Sequence, residues 1–234
     1  MAQAAHQELP VPGRIPPATA WLKEHLKYFL RRSISRMRVP DRPWFDRDGT
    51  ELFEILLQRS RLYMEYGSGG STVLAAHLGK DFVSVESDRN FSKAVTGRIG
   101  ATQRSANIVA VNIGTTGAWG APLFTRPNEG RLQSWKQYVI APWLRLPPGT
   151  IPDLVLIDGR FRIACALYSL MQLHGREDVT ILFDDYGDRR NYHVIESFAR
   201  LEQMAGRMAV FRPRSDVAIE DLAAALDRFM IDWR

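Results

Sequence analysis

The sequence predicts an α/β fold built on a doubly wound, mostly parallel sheet of six or seven strands. Short apolar segments alternate along the chain with longer segments whose apolar residues recur at helical spacing. Acidic residues follow several of the apolar segments, at the positions where parallel strands carry functional side chains. The 234 residues, of which 45% are hydrophobic and 24% charged, suit one such domain with an extension.

The predicted strands are short, apolar and bounded by turn residues, and they cover 61–66, 82–85, 107–111, 153–157 and 179–183, with a sixth near 208–211. Helices are predicted between them at 50–58, 71–78, 90–99, 161–174 and 192–203, with a last one near 219–230. Because most strands are followed by a helix, neighbouring strands are expected to run parallel with helices on both faces. A seventh strand is not evident from the sequence, so the sequence does not decide which strand forms the far edge of the sheet.

Residues 1–45 are predicted to form an N-terminal arm with a basic amphipathic helix over 21–37, and residues 46–234 the α/β domain. Such a helix can pack across its own domain, or it can lie on RNA or a membrane surface. The formal charge of +5 allows either a solvated basic surface or a nucleic-acid partner. No apolar run is long enough to span a bilayer, and the single Cys165 rules out an internal disulfide, so a cytoplasmic protein is expected.

The most informative segment is 62–72, where an apolar strand enters a glycine-rich turn and then a helix. Gly67 would permit the tight turn, and Gly69 would let atoms of a nucleotide-like ligand lie against the backbone. Ser71 or Thr72 could cap the helix, whose free N–H groups would face that ligand. Thr72 stands where a dinucleotide-binding loop would carry a further glycine, which disfavours a nicotinamide cofactor.

Glu65 precedes Gly67 by two residues and completes an acid-x-Gly-x-Gly-x-Ser pattern. This pattern resembles motif I of the class I S-adenosylmethionine-dependent methyltransferases. The resemblance covers 61–198 and implies a three-layer Rossmann-like fold, with S-adenosylmethionine bound over the ends of the first three strands. It also implies that the amino acid part of the cofactor lies beside Glu65 and Gly67. The loop residues expected to bind cofactor are Glu65, Gly67, Ser68, Gly69 and Ser71.

Two further residues are expected to contact the cofactor. Glu86 ends the second predicted strand, 19 residues after Gly67, where an acid should accept hydrogen bonds from both ribose hydroxyls. The alternative is a strand-end acid that caps the following helix, although Asp88 is better placed for that role. Asn112 closes the third strand, where the resemblance implies a polar residue beside the adenine.

Three carboxylates follow two neighbouring strands, Asp158 after the fourth and Asp184 and Asp185 after the fifth. They are expected to converge at the edge of the sheet where the methyl group would arrive. Like charges placed together need a positive partner, and a Mg²⁺ ion held by Asp158, Asp184 and Asp185 would be one. The layout resembles the metal-dependent O-methyltransferases of the catechol and caffeoyl-coenzyme A type, with Asp185 standing where those enzymes carry asparagine.

Two other interpretations of these acids stay open. In a metal-free site, Asp158 would orient or deprotonate the acceptor, and it is the one predicted catalytic residue. Alternatively, the acids are neutralised as ion pairs by nearby arginines, namely Arg160, Arg162, Arg189 and Arg190.

The segment 113–150 is predicted to be an insertion between the third and fourth strands, and its aromatic residues include Trp119, Trp135, Tyr138 and Trp143. A connection of this length in a small domain is usually functional or independently packed. It could be a lid over the site, or a surface excursion that its aromatic residues anchor to the core.

Together these features predict an S-adenosylmethionine-dependent methyltransferase that acts on a small-molecule acceptor, with oxygen favoured as the methylated atom. The chain resembles uncharacterised bacterial methyltransferase-like proteins. The Asn/Asp-Pro-Pro-Tyr signature of methyltransferases that act on exocyclic amines of nucleobases is absent. Three rivals stay open: an RNA methyltransferase, a nicotinamide-dependent oxidoreductase, and a non-catalytic binding protein on the same scaffold.

Overall fold

The computed structural model describes residues 38–100 and 107–234. Residues 1–37 of the predicted 1–45 arm, including the basic helix over 21–37, lie outside the described residues. Within those residues, no helix is both long and apolar enough to cross a membrane.

The domain is organised around a sheet of seven strands in the order β3-β2-β1-β4-β5-β7-β6. All pairings are parallel except those of β7, which runs antiparallel to both β5 and β6. The predicted doubly wound, mostly parallel sheet is therefore confirmed. The strands are β1 Leu62–Tyr66, β2 Asp81–Glu86, β3 Ile108–Ala110, β4 Leu154–Ile157, β5 Thr180–Phe183, β6 Ala199–Ala205 and β7 Met208–Pro213.

Helices cover both faces of this sheet. They are α1 Arg47–Arg59, α2 Gly70–His77, α3 Arg89–Ile99, α4 Glu129–Arg145, α5 Arg162–Gln172 and α6 Ile219–Phe229, with short 3₁₀ segments at Ala118–Gly120 and Arg190–Ser197. Alternate residues of β4 show the three layers: Leu154 and Leu156 join the core on one face, and Val155 and Ile157 join the larger core on the other. A strand buried on both faces reads as an unbroken apolar run, which is why β4 was evident in the sequence.

The prediction for 192–203 was wrong, because the chain there forms the 3₁₀ segment Arg190–Ser197 and then the edge strand β6. Most residues of β6 are at least partly exposed and several are good helix formers, so their composition hid the strand. Tertiary pairing overrides that preference. Gly206 turns the chain with a φ of +58°, and β6 then pairs with β7 to complete the hairpin.

The segment 113–150 contains α4, a helix that the sequence analysis did not predict. Pro142 and Gly130 lie within this helix and suggested a loop, but Pro142 falls in its last turn. Trp135 and Tyr138 are fully buried and pack against Phe161 at ring-centroid distances of 5.3 and 6.0 Å. This half of the segment is therefore a crossover helix that packs against β1, β2 and β3. Its aromatic residues anchor it to the core, which is one of the two alternatives proposed for the segment.

Candidate functional site

The glycine-rich turn lies where the strand order reverses between β1 and β4, the usual crevice for ligands in open α/β sheets. Gly67 follows β1 with a φ of +95°, and a Cβ on it would stand 2.8 Å from the Cα of Gly159, which follows β4. The hydroxyl of Tyr138 occupies the space that a Cβ on Gly159 would need. Both glycines are thus required by close backbone approach, and Gly67 also by its conformation.

Gly69 differs from Gly67 because nothing lies within 4 Å of the position that its Cβ would take. Its N–H donates to Thr72 Oγ1 at 2.8 Å, and α2 begins at the next residue. The turn therefore presents an open stretch of backbone and a helix N-terminus toward the crevice.

The carboxylate of Glu65 is completely buried and holds the turn together from beneath. It accepts hydrogen bonds from Tyr63 Oη at 2.7 Å, from Ser71 Oγ at 2.6 Å and from Thr72 Oγ1. Burial raises the pKa of Glu65, while these three donors oppose the shift. Glu65 and Ser71 thus use their side chains to shape the loop, and Ser68 does likewise through a 2.6 Å hydrogen bond between its Oγ and Ser84 Oγ.

Glu86 ends β2 and is 7% exposed. Its Oε1 accepts the Asp88 N–H at 2.7 Å, and burial raises its pKa to about 7. The helix that follows is capped by Asp88, whose Oδ1 accepts from the N–H groups of Asn90 and Phe91. Asp88 therefore caps this helix, as predicted, and helix capping does not account for an acidic residue at position 86. Asn112 is exposed beyond β3, and its Oδ1 accepts the Gly114 N–H at 3.0 Å.

Two exposed tryptophans meet beside Glu86 and the glycine turn, a feature that sequence reasoning missed. Trp44 and Trp119 are 69% and 70% exposed, with ring centroids 5.3 Å apart. Trp119 has a φ of +59°, and the carbonyl of the next residue, Gly120, accepts from Ser87 Oγ at 3.2 Å. No sequence signal could have paired them, because they are 75 residues apart and on separate loops.

The three predicted carboxylates do come together, with one oxygen from each of Asp158, Asp184 and Asp185 lying within 4.8 Å of the other two. Arg162, buried at the start of α5, lies among them. Its Nη2 donates to Asp158 Oδ1 at 2.9 Å and its Nη1 to Asp185 Oδ2 at 3.0 Å. Its remaining N–H groups donate to the backbone carbonyls of Asp158, Gly159 and Asp184, so all five donors are used.

Two more arginines complete the neutralisation. Arg207 Nε lies 3.3 Å from Asp184 Oδ1 and 3.1 Å from Asp185 Oδ1, and Arg189 Nη2 donates to Asp185 Oδ2 at 2.8 Å. Arg189 and Arg162 were expected partners, whereas Arg207 reaches the cluster from the β6–β7 hairpin and could not be foreseen without that hairpin. Three acids therefore face three guanidinium groups within the described part of the chain.

This donor set does not fit Mg²⁺. A divalent cation among Asp158, Asp184 and Asp185 would lie beside three guanidinium groups that already balance the carboxylates. It would have to displace the two hydrogen bonds that Arg162 donates to the carboxylates of Asp158 and Asp185. The carboxylates are therefore neutralised by arginines and are not arranged as metal ligands.

Asp158 is the least enclosed of the three acids, with 30% of its side chain exposed. Burial raises its pKa to about 7, with Arg162 opposing the shift and Asp184 and Asp185 adding to it. A carboxyl of this pKa exchanges protons near neutral pH, and its exposed part opens at the rim beside Gly67 and Gly159.

Comparison with known proteins adds two findings. A methyltransferase-like protein from Silicibacter pomeroyi is 35% identical, with a TM-score of 0.67 over 82% of this chain and 98% of that one. An O-methyltransferase from Bacillus cereus in complex with SAH is 16% identical, with a TM-score of 0.42 over 84% of this chain and 90% of that one. No protein-family profile and no curated protein matches the sequence.

Proposed function

The chain belongs to the class I S-adenosylmethionine-dependent methyltransferase family, and we propose that it transfers a methyl group to an oxygen atom of a small-molecule acceptor. The observation that carries the proposal is the contact between Gly67 and Gly159. It brings the open glycine turn to the same rim as Asp158, so that a cofactor lying on the turn would direct its methyl group toward a carboxyl with a pKa near 7.

The cofactor would lie across the carboxyl ends of β1, β2 and β3. The open backbone at Gly69 would take its amino acid and ribose portions, and Glu86 would accept hydrogen bonds from the two ribose hydroxyls. Asn112 would contact the adenine. Glu65, Ser68 and Ser71 would act through the shape they give the loop, because their side chains are bonded to the protein.

The chemistry needs few groups. An acceptor oxygen attacks the methyl carbon in line, the carbon–sulfur bond breaks, and its electron pair stays on the sulfur of S-adenosylhomocysteine. Asp158 takes the proton from the acceptor hydroxyl and releases it to water, a role that suits a carboxyl with a pKa of about 7. The ion pair with Arg162 holds the carboxyl group of Asp158 in place, so the proposed transfer requires no metal.

The decisive experiment places a side chain in the open space over the turn. Gly69→Val should fold normally, since the backbone there is extended and unobstructed, but its methyl groups would stand where cofactor is expected. Gly97→Ala is the matched control, because nothing lies within 4 Å of its Cβ either and it is on α3, far along the chain from the turn. Binding of S-adenosylhomocysteine is measured by calorimetry, with NAD as the comparison ligand.

Wild type and Gly97→Ala are expected to bind S-adenosylhomocysteine alone, and Gly69→Val to bind it at least tenfold more weakly with an unchanged melting temperature. Equal binding by Gly69→Val would refute the cofactor site, and binding of NAD would refute the reaction class. Binding without methyl loss across panels of phenols, alcohols, acids and amines would favour a non-catalytic binding protein.

A further inference from the structure

Arg160 is a partly buried arginine of this rim that forms no ion pair with the acidic cluster. It follows β4 by three residues and lies between Gly159 and the start of α5. Its Nε is buried without a hydrogen-bond partner, and within 38–100 and 107–234 its guanidinium forms no ion pair. Arg162, Arg189 and Arg207, by contrast, are each paired with a carboxylate.

Arg160 is only partly buried, but its Nε–H is shielded from water without an acceptor, and an unsatisfied buried donor is costly. Desolvation is the main cause that lowers the pKa of Arg160, and the positive charge of Arg162 lowers it further. Asp158 opposes the shift only weakly, since Arg162 already pairs with it. The protein therefore leaves one donor of this guanidinium unsatisfied near Asp158, at the site where the acceptor would lie.

Hydrogen bonds hold the backbone of Arg160 in place, although the Nε of its side chain has no hydrogen-bond partner. Its N–H donates to Tyr138 Oη at 3.3 Å, and its carbonyl accepts from Cys165 Sγ at 3.3 Å. Tyr138 and Tyr192 are close enough to the guanidinium to interact with it electrostatically. The side chain thus extends from a rigid anchor beside Asp158.

Helix α5 begins at Arg162, two residues after Arg160, so its N-terminus lies at the same edge of the sheet. Among the described residues no side chain caps this helix, and its first turn holds no acidic residue. A helix N-terminus attracts negative charge, and here Asp158 and Asp185 already supply it through their ion pairs with Arg162. The first-turn residues Ile163 and Ala164 are fully buried, so the anion site depends on Arg160 and not on this turn.

We propose that Arg160 binds a carboxylate or phosphate group on the methyl acceptor. The inference rests on the proposed function and narrows its substrate to anionic small molecules that carry a hydroxyl. The carboxylate of the cofactor is the other source of this chemistry, but it is expected beside β1 at Gly67. The anion at Arg160 would hold the acceptor so that its hydroxyl reaches Asp158.

The test uses Arg160→Gln and Arg160→Lys, with Arg190→Gln as a matched control because Arg190 is an exposed arginine of the same rim. Benzoate and inorganic phosphate are the anionic probes, and benzamide is the neutral one. Their affinities are measured by calorimetry with and without saturating S-adenosylhomocysteine, whose own affinity is measured for each variant.

Wild type and Arg190→Gln should bind benzoate or phosphate at least tenfold more tightly than Arg160→Gln does, and Arg160→Lys should recover part of the difference. Benzamide should not distinguish the variants. Without ligand, Arg160→Gln should melt at a higher temperature than wild type, because it removes a partly buried charge that has no ion pair.

Equal anion affinity in wild type and Arg160→Gln would overturn the proposal. A loss of S-adenosylhomocysteine affinity as large as the loss for benzoate would also overturn it, by assigning Arg160 to the cofactor. Because the anions are tested on the free protein as well, failure of cofactor binding would refute the proposed function and leave the anion result to be judged separately.

Discussion

The affinity of this protein for S-adenosylhomocysteine should fall as the pH drops below neutrality, because Glu86 must be ionised to accept both ribose hydroxyls. Burial raises the pKa of Glu86 from 4.5 to about 7 in the protein without ligand. Bound ribose stabilises the carboxylate form, so at low pH part of the binding free energy is spent on removing the proton. Below the pKa of Glu86, each drop of one pH unit should therefore weaken binding by a further factor that approaches ten.

The magnitude follows from that pKa. From about pH 8 to about pH 6, the ionised fraction of Glu86 falls about tenfold, and the dissociation constant should rise by the same factor. Stability should change in the opposite sense. Because the pKa of Glu86 is raised in the folded protein, protonated Glu86 contributes to the free energy of unfolding. This contribution is fully present below pH 4.5 and is lost as the pH rises through about 7. The loss amounts to about 3 kcal/mol at about 1.4 kcal/mol per pKa step.

Calorimetric titration across this range should be compared for wild type, Glu86→Gln and Asp158→Asn. The glutamine can still accept the Asp88 N–H through its Oε1 but cannot ionise, so its affinity should be weak and flat with pH. Asp158 also has a pKa of about 7, and Asp158→Asn separates the two groups. It should keep the pH dependence of binding and lose most of the turnover. A Glu86→Gln profile that parallels wild type would refute the ribose role.

Three further outcomes are expected. Arg162→Met should lower the free energy of unfolding by about 3–5 kcal/mol in urea titrations, because it leaves the cluster's carboxylates unpaired, while the exposed Arg47→Met should change it by less than about 0.5 kcal/mol. S-adenosylhomocysteine should alter the tryptophan emission of wild type, and Trp119→Phe should remove most of that response; an undiminished response would place the ligand elsewhere. EDTA should leave cofactor affinity and turnover unchanged, and a gain on adding Mg²⁺ would show that the acidic cluster binds a metal.

Much of the central sheet could be predicted because its strands are buried on both faces. Strands β1, β2, β4 and β5 lie within a residue or two of their predicted bounds, since parallel strands under two helical layers must be short and apolar. The glycine turn was equally legible, because Gly67 is required by a positive φ and by the backbone of Gly159. A local feature of this kind can be predicted because it depends on particular residue types at a fixed spacing.

Edge and crossover elements were harder to predict because their composition follows exposure and not secondary structure. Strand β6 carries helix formers on a largely exposed edge, and α4 contains Pro142 and Gly130. In both, tertiary contacts decide the outcome: pairing with β7 for the strand, and burial of Trp135 for the helix.

The sequence by itself determined the fold class, the glycine turn, the acid that ends β2 and the convergence of three aspartates at one edge. Only the tertiary structure decided how those aspartates are neutralised, because Arg207 comes from the distant hairpin and Arg162 uses all five of its donors among them. It also left Arg160 without a partner beside Asp158. Charges pair through space, so a sequence can show which ions approach one site but not which of them remain unpaired there.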